Sequence, residues 1–304
     1  MGYNSFVNYF KERYSARLQK VVVDAGFTCP NRDGKSGVGG CTFCNNAAFH
    51  PAYATSEKPI KWQIEEGIKF HRVRYRRAQR YIAYFQPYSN TYLPLENLKQ
   101  IYQEALSHPL IEGIVIGTRP DCVDEEKLDY FAELQREKIV ILEYGIESIY
   151  NKTLNRINRG HTFEQSRWAI EQSAKRNIIQ CAHFIFGLPG ESYQEMLAYP
   201  QVINTLPLTA VKFHQLQIIR GTKIEKEFEQ YPNDFYQFTL DGYLDFISKV
   251  IGELREDIYI DRFAGEVPPR YLSPLQKSWG LIRYQELVKM LNSKMNFAKL
   301  NHNE

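Results

Sequence analysis

The sequence has no apolar run long enough to cross a bilayer. Its longest stretches, such as Tyr81–Phe85 and the run around Ile114–Ile116, fall far short of the roughly 18–20 residues required. It also lacks an export signal, because Lys11, Glu12 and Arg13 interrupt the N-terminus before an apolar core forms, and Phe6 stands where myristoylation needs Ser or Thr. A soluble, cytoplasmic protein with no membrane partner is expected. Charge of one sign is scarce: 38 Lys and Arg against 35 Asp and Glu leave a net +3. That balance does not demand a polyanionic partner, although it leaves room for a local basic patch. Cysteine is sparse too, five in 304 residues, which without an export signal excludes a disulfide scaffold. No Gly-, Pro- or Ser-rich linker divides the chain and no internal repeat is visible.

What is present is a globular balance, 43% hydrophobic and 24% charged, arranged as an alternation. After an amphipathic opening, Tyr3–Arg17, the β-branched run Lys20–Asp24 reads as a buried strand. Helices over about 60–78, 95–107, 124–137, 162–176 and 191–205 then alternate with strands over 80–86, 112–118, 138–146, 178–187 and 210–219. Strands that are apolar nearly throughout and separated by helices call for a parallel sheet with right-handed crossovers. The expected fold is α/β, a partial (β/α)6 TIM-like barrel, with Ile258–Arg262 as a candidate seventh strand. The expected division is a short helical extension over 1–19, the barrel over 20–265 and a C-terminal helical extension over 266–304.

In such a sheet the ligand site lies at the carboxyl ends of the strands. Three of the five cysteines fall there, in Cys29-Pro30-Asn31-Arg32-Asp33-Gly34 and Cys41-Thr42-Phe43-Cys44. Three thiolates with His50 or His71 would make a Cys₃His zinc site. Three thiolates alone would hold three irons of an iron–sulfur cube and leave the fourth open. Free thiols in a flexible loop are the third possibility. Cys122 and Cys181 read as packed thiols.

The spacing Cys-x₁₁-Cys-x₂-Cys with an aromatic before the last cysteine resembles the radical S-adenosylmethionine (SAM) enzymes of the branch related to the catalytic subunit of elongator. Three longer stretches resemble the YhcC/YtqA-like family within it: Val23–Gly34, Tyr84–Tyr92 and His183–Glu191. At 304 residues there is no room for an acetyltransferase domain after the barrel, so elongator itself is not expected. The resemblance implies a [4Fe-4S] cluster on Cys29, Cys41 and Cys44, with SAM on the open iron and a 5′-deoxyadenosyl radical as the reactive species. It implies action on transfer RNA wobble uridine, modifying its C5 side chain, and a low-potential electron donor such as flavodoxin or ferredoxin.

For the cofactor, Phe43 would pack near the adenine. Gln86-Pro87-Tyr88 stands where relatives have Gly-Gly-Glu, so Gln86 and Asn90 are substitutes for the contact to the methionine amine, against a reading in which Asn90 only builds a turn. Glu147 at a strand end suits two ribose hydroxyls, although Glu143 shares its strand face. Arg159 has the fork geometry for a carboxylate, or else belongs to a helix-entry loop capped by Thr162. Gly187 lets the backbone approach the adenine. Lys69–Arg80 carries six positive charges and no acid, and Lys69, Arg72, Arg76 and Arg80 would form a ridge for phosphates. Tyr88 is placed to stack a base, and His183 and His214 read as core residues or substrate contacts. The alternatives are a radical SAM enzyme with a small-molecule substrate and a zinc-stabilised RNA-binding barrel without radical chemistry.

Overall fold

The computed structural model describes residues 2–15, 17–48, 51–74, 79–276, 279 and 282–301. Seven strands form one parallel sheet in chain order: β1 (Leu18–Val23), β2 (Arg80–Phe85), β3 (Ile111–Thr118), β4 (Ile139–Glu147), β5 (Ile179–Phe186), β6 (Ala210–Gln215) and β7 (Tyr259–Arg262). The helices are α1 (Phe6–Tyr14), α2 (Ile60–Arg74), α3 (Leu95–Leu106), α4 (Glu125–Leu134), α5 (Asn151–Arg156), α6 (Phe163–Lys175), α7 (Tyr193–Leu197), α8 (Tyr199–Ile203), α9 (Lys223–Gln230), α10 (Leu240–Gly252) and α11 (Tyr284–Asn301). The expected partial barrel is present, and Ile258–Arg262 does supply a seventh strand.

Two faces of the sheet do different work because side chains alternate along a strand. On β4, Val140, Leu142, Tyr144 and Ile146 face outward into the main core, against Leu128 and Phe131 of α4 and Ala169 and Ile170 of α6. The inward set begins with Ile139 and Ile141, which pack with Ile82, Val115, Ile179 and Ala210 around Phe6 and Phe10 of α1. Helix α1 therefore plugs the N-terminal end of the half-barrel, held to its last strand where Ile260 N–H donates to Asn4 O at 2.7 Å. The next inward residue on β4 is Glu143, followed by Gly145 and Glu147, with a register shift between the last two. At the other end of the chain Leu287, Leu291 and Met295 of α11 join the main core beside α10.

The expected helix over 191–205 is two short helices, because Pro200 has no N–H to donate to the preceding turn. The sixth strand stops at Gln215 instead of 219, and Leu216 N–H gives the last bond of the ladder, to Phe186 O at 2.7 Å. Three helices, α5, α9 and α10, lie in stretches where the sequence reading placed none. Thr162 does cap α6, in a capping box with Gln165.

The pairing of β3 with β4 depends on a residue without a side chain. A Cβ on Gly113 would lie 2.1 Å from Ile139 O, whereas one on Gly252 meets nothing within 4 Å. Gly113→Ala is expected to cost about 1–3 kcal/mol in urea unfolding. Gly252→Ala should leave stability unchanged or slightly raised.

Candidate active site

The inward residues at the carboxyl ends of the strands surround a cavity of about 230 Å³. Cys29, Cys41 and Cys44 all line it, and all three are free thiols. The loop that carries them is wound by its own backbone: Arg32 N–H donates to Cys29 O at 2.8 Å, Gly40 N–H to Asn31 O at 2.8 Å, and Cys44 N–H to Cys41 O at 3.1 Å. Gly34, Gly39 and Gly40 supply the positive φ this winding needs. The exit of α5 and the entry of α9 anchor it, with Thr42 N–H on Ile157 O at 2.9 Å and Ile224 N–H on Thr42 O at 3.0 Å.

Burial pushes the Cys44 thiol up to about 11, and the neighbouring Cys41 and Cys29 push it the same way against Arg32 and Arg159. Three thiolates this close need cations to stay ionised. Donors already point at one of them: Arg159 Nη1 lies 3.4 Å from Cys41 Sγ and Asn31 Nδ2 3.6 Å from it. This donor set fits an iron–sulfur cube with three protein ligands. His71, one of the two histidines considered for a zinc site, sits on α2 and does not line the cavity; His50 lies outside the described residues.

Arg159 joins the loop to β4. It donates to Gly145 O, and its Nη2 lies 3.4 Å from Glu147 Oε1. A Cβ on Gly145 would come within 2.7 Å of that guanidinium and 2.8 Å of Glu147 Oε1. Glu147 is held at φ 72° and Tyr88, also on the cavity, at φ 65°. Left-handed backbone at two residues with side chains is strain of the kind that gathers at ligand sites. His183 Nδ1 is 3.5 Å from Glu147 Oε2, and its ring packs edge-on to His214 at 4.4 Å between centroids. Burial lowers both imidazoles; at His183 the Glu147 carboxylate works against it, whereas at His214 the neighbouring His183 and Lys212 add to it, and the neutral ring is favoured in both. Among the described residues, Glu147 Oε2, Arg159 Nε and the Nε2 atoms of both histidines have no hydrogen-bond partner. Buried polar atoms left open around a cavity fit a polar ligand.

Below this level lies a layer of buried charge. Glu143 accepts from Lys212 Nζ and has Lys20 Nζ at 3.6 Å from its Oε2; Lys20 also pairs with Asp261 at 3.0 Å, linking β1 to β7. Lys212 Nζ reaches Tyr84 OH at 3.4 Å. Burial pushes the Glu143 carboxyl up, but the two ammonium groups more than reverse this and hold it well below the usual carboxylate range. Lys20 and Lys212 escaped the sequence reading; the signal was a lysine on the inward period of an otherwise apolar strand.

Other expected site residues lie elsewhere. Phe43, Gln86, Glu147, Arg159, His183 and His214 line the cavity. Asn90 does not: its Nδ2 donates to Phe85 O, Pro87 O and Gly117 O at 3.1, 3.0 and 2.8 Å, building the turn after β2. Gly187 is also off the cavity, with φ 88° and its N–H on Met196 Sδ at 3.0 Å. In the expected ridge, Lys69 pairs with Glu66 at 2.7 Å and Arg80 is forked onto Glu112. Arg72 is exposed on α2, and Arg76 lies outside the described residues. Among the described residues no helix is long and apolar enough to cross a membrane.

Residues 29–199 match the radical SAM superfamily, and 208–295 match the Radical_SAM C-terminal domain. The chain belongs to the radical SAM superfamily and is a radical SAM enzyme, of a class that binds a [4Fe-4S] cluster and SAM. Within that class it is similar to protein YhcC of Escherichia coli strain K12, 37% identical over 227 residues, 74% of this chain and 72% of YhcC. It is 26% identical over 137 residues to the tRNA uridine(34) acetyltransferase of Methanocaldococcus infernus, 43% of this chain and 24% of that protein. The fold resembles that of Methanocaldococcus infernus Elp3, with a TM-score of 0.67 at 16% identity, over 93% of this chain and 63% of that one. The second matched stretch begins just ahead of β6, so it contributes Lys212 and His214 to the cavity that the first begins.

Glu143→Gln leaves two buried ammonium groups facing Asp261 alone and is expected to cost about 3–5 kcal/mol in urea unfolding at neutral pH. A carboxyl depressed in the folded state stabilises fully above its unfolded value of about 4.3 and less as pH falls below it. The stability gap between wild type and Glu143→Gln should therefore narrow on acidification below that value; a gap independent of pH would refute the ion-pair account.

Proposed function

We propose that this enzyme cleaves SAM reductively at the cavity and uses the radical to modify the C5 side chain of transfer RNA wobble uridine. The observation that carries the radical reading is the convergence of three free thiols on one cavity whose open polar atoms, Glu147 Oε2 and Arg159 Nε among them, await a ligand. Cys29, Cys41 and Cys44 would hold the cluster, which when bound with SAM supplies one-electron cleavage of a sulfonium bond and hydrogen-atom abstraction. The chain's own residues do the rest. Arg159 donates to the Cys41 sulfur and orients Glu147, Glu147 offers its free oxygen to ribose hydroxyls, and Phe43 and Gln86 are the contacts to the adenine and the methionine end. Neutral His183 and His214, with the buried charge layer beneath, set the polarity of the wall that faces substrate.

The transfer RNA substrate is supported by the similarity to the tRNA uridine(34) acetyltransferase of Methanocaldococcus infernus and by tyrosine at the cavity wall, Tyr88, suited to stacking a base. A protein donor of the flavodoxin or ferredoxin kind would deliver the electron, since radical SAM enzymes need a reductant. A small-molecule substrate is the second reading; it is favoured by the ion pairs that already engage Lys69 and Arg80 away from the cavity.

Anaerobic reconstitution with iron and sulfide, then dithionite and SAM, should yield 5′-deoxyadenosine by chromatography. Cys41→Ala should abolish both the cluster absorbance and the nucleoside while the far-ultraviolet spectrum stays folded. Nucleoside formed without the cysteine would sink the radical reading. Glu147→Gln removes a charge-assisted contact and should weaken SAM binding about 10–100-fold by equilibrium titration. Undermodified transfer RNA should stimulate turnover and gain mass at the wobble nucleoside; stimulation by a metabolite instead would move the substrate to the second reading.

A further inference from the structure

Asn31 follows the first of the three cysteines by two residues and is fully buried, yet it does not line the cavity. Its amide works from behind the wall: Nδ2 donates to Asn158 O and lies 3.6 Å from Cys41 Sγ. The orientation is fixed, because the reversed amide would set its own carbonyl oxygen against that of Asn158. Two glycines make room for the group. A Cβ on Gly37 would stand 2.0 Å from Asn31 Oδ1, and one on Gly160 2.9 Å from it. Among the described residues Oδ1 has no hydrogen-bond partner. A buried carbonyl left unpaired is unfavourable; what the position gains is an N–H placed on the sulfur. Bracing of the loop falls to another asparagine, since Asn158 Nδ2 donates to Gly40 O at 2.8 Å and to Val38 O at 3.3 Å, both backbone acceptors.

We propose that Asn31 sets the reduction potential of the cluster through Cys41, as a positioning residue that meets neither SAM nor substrate. The inference rests on the reading of Cys29, Cys41 and Cys44 as cluster ligands. Reduction adds an electron, and part of that charge falls on the ligating sulfurs. An N–H aimed at such a sulfur favours the more negative state, so the bond raises the potential and its loss lowers it. Burial strengthens the effect, since no water screens or replaces the amide there. Arg159 donates to the same sulfur at 3.4 Å, but it also lines the cavity and pairs with Glu147. Asn31 is therefore the donor that acts on the sulfur alone.

The test is the midpoint potential of the reconstituted full chain, read from the electron paramagnetic resonance signal of the reduced cluster at set potentials. Asn31→Ala should raise the oxidised-to-reduced ratio at a given potential about tenfold, which for a one-electron couple is a fall of about 59 mV. Asn158→Gly removes the brace and suits the left-handed backbone at that residue, where φ is 52°. It should leave the ratio within about twofold of wild type. An Asn31→Ala cluster with the wild-type potential overturns the proposal, as does an equal fall in both variants, which traces the shift to a loosened loop. Should Asn31→Ala take up no iron, Asn31→Ser, whose side chain stops short of the amide nitrogen, is measured in the same way. Failure of both to load makes Asn31 a structural residue and also overturns the proposal. Wild type that takes up no iron–sulfur cluster defeats the radical reading itself, an outcome distinct from a cluster whose potential ignores Asn31.

Discussion

Glu143 sits between two lysines inside the half-barrel, and much of the architecture follows from keeping that carboxylate satisfied. Lys212 reaches it from β6 and Lys20 from β1, while Lys20 turns also to Asp261 on β7. First and last strands of an open sheet are thereby connected through side chains, where backbone pairing does not join them. Below this layer the interior is apolar and stopped by Phe6 and Phe10; above it the interior is polar and open. An ion pair this deep is a poor source of net stability, because desolvation offsets most of its attraction. Its consequence is specificity of arrangement, since a charge without its partner is far costlier than the pair is favourable.

Above that floor one arginine performs the corresponding task for the chemistry. Arg159 touches Cys41 Sγ, Gly145 O and Glu147 together, so the flexible, glycine-containing loop and the rigid strand are registered by a planar group with fixed donor directions. Glu147 tolerates left-handed backbone there, just past the β4 register shift, and its second oxygen is left facing the cavity. Loop and strand are thus positioned relative to one another by the same side chain that donates to the Cys41 sulfur.

The cysteine loop is shaped by its own backbone and held by the elements around it. Glycine and backbone hydrogen bonds curl it around three thiols, with Arg32 on the cavity wall beside them. Helix α9 is fastened to the loop through Ile224 and Thr42, so the second matched stretch of the chain completes the surface over the first.

The seven-strand succession, the thiol triad and the strand-end position of Glu147 were legible in the sequence because each is a local pattern: β-branched runs broken by caps, cysteines at fixed spacing, alternation along one strand. Helices α5, α9 and α10 were not, since their apolar residues find partners only after the sheet has curled. Asn90 and Gly187 were expected as cofactor contacts by position after a strand; in the fold Asn90 Nδ2 bonds the turn while its Oδ1 keeps no partner among the described residues, and the Gly187 N–H meets Met196. The expected basic ridge carried charges visible in sequence, but Glu66 and Glu112 claim two of them, and Glu112 lies 32 positions from its partner Arg80. By itself the sequence determined which side chains face inward, because alternation is a property of the extended backbone. Only tertiary structure decided which of those residues meet, because the curl of a parallel sheet brings Lys20, Glu143, Lys212 and Asp261 together from four separate strands.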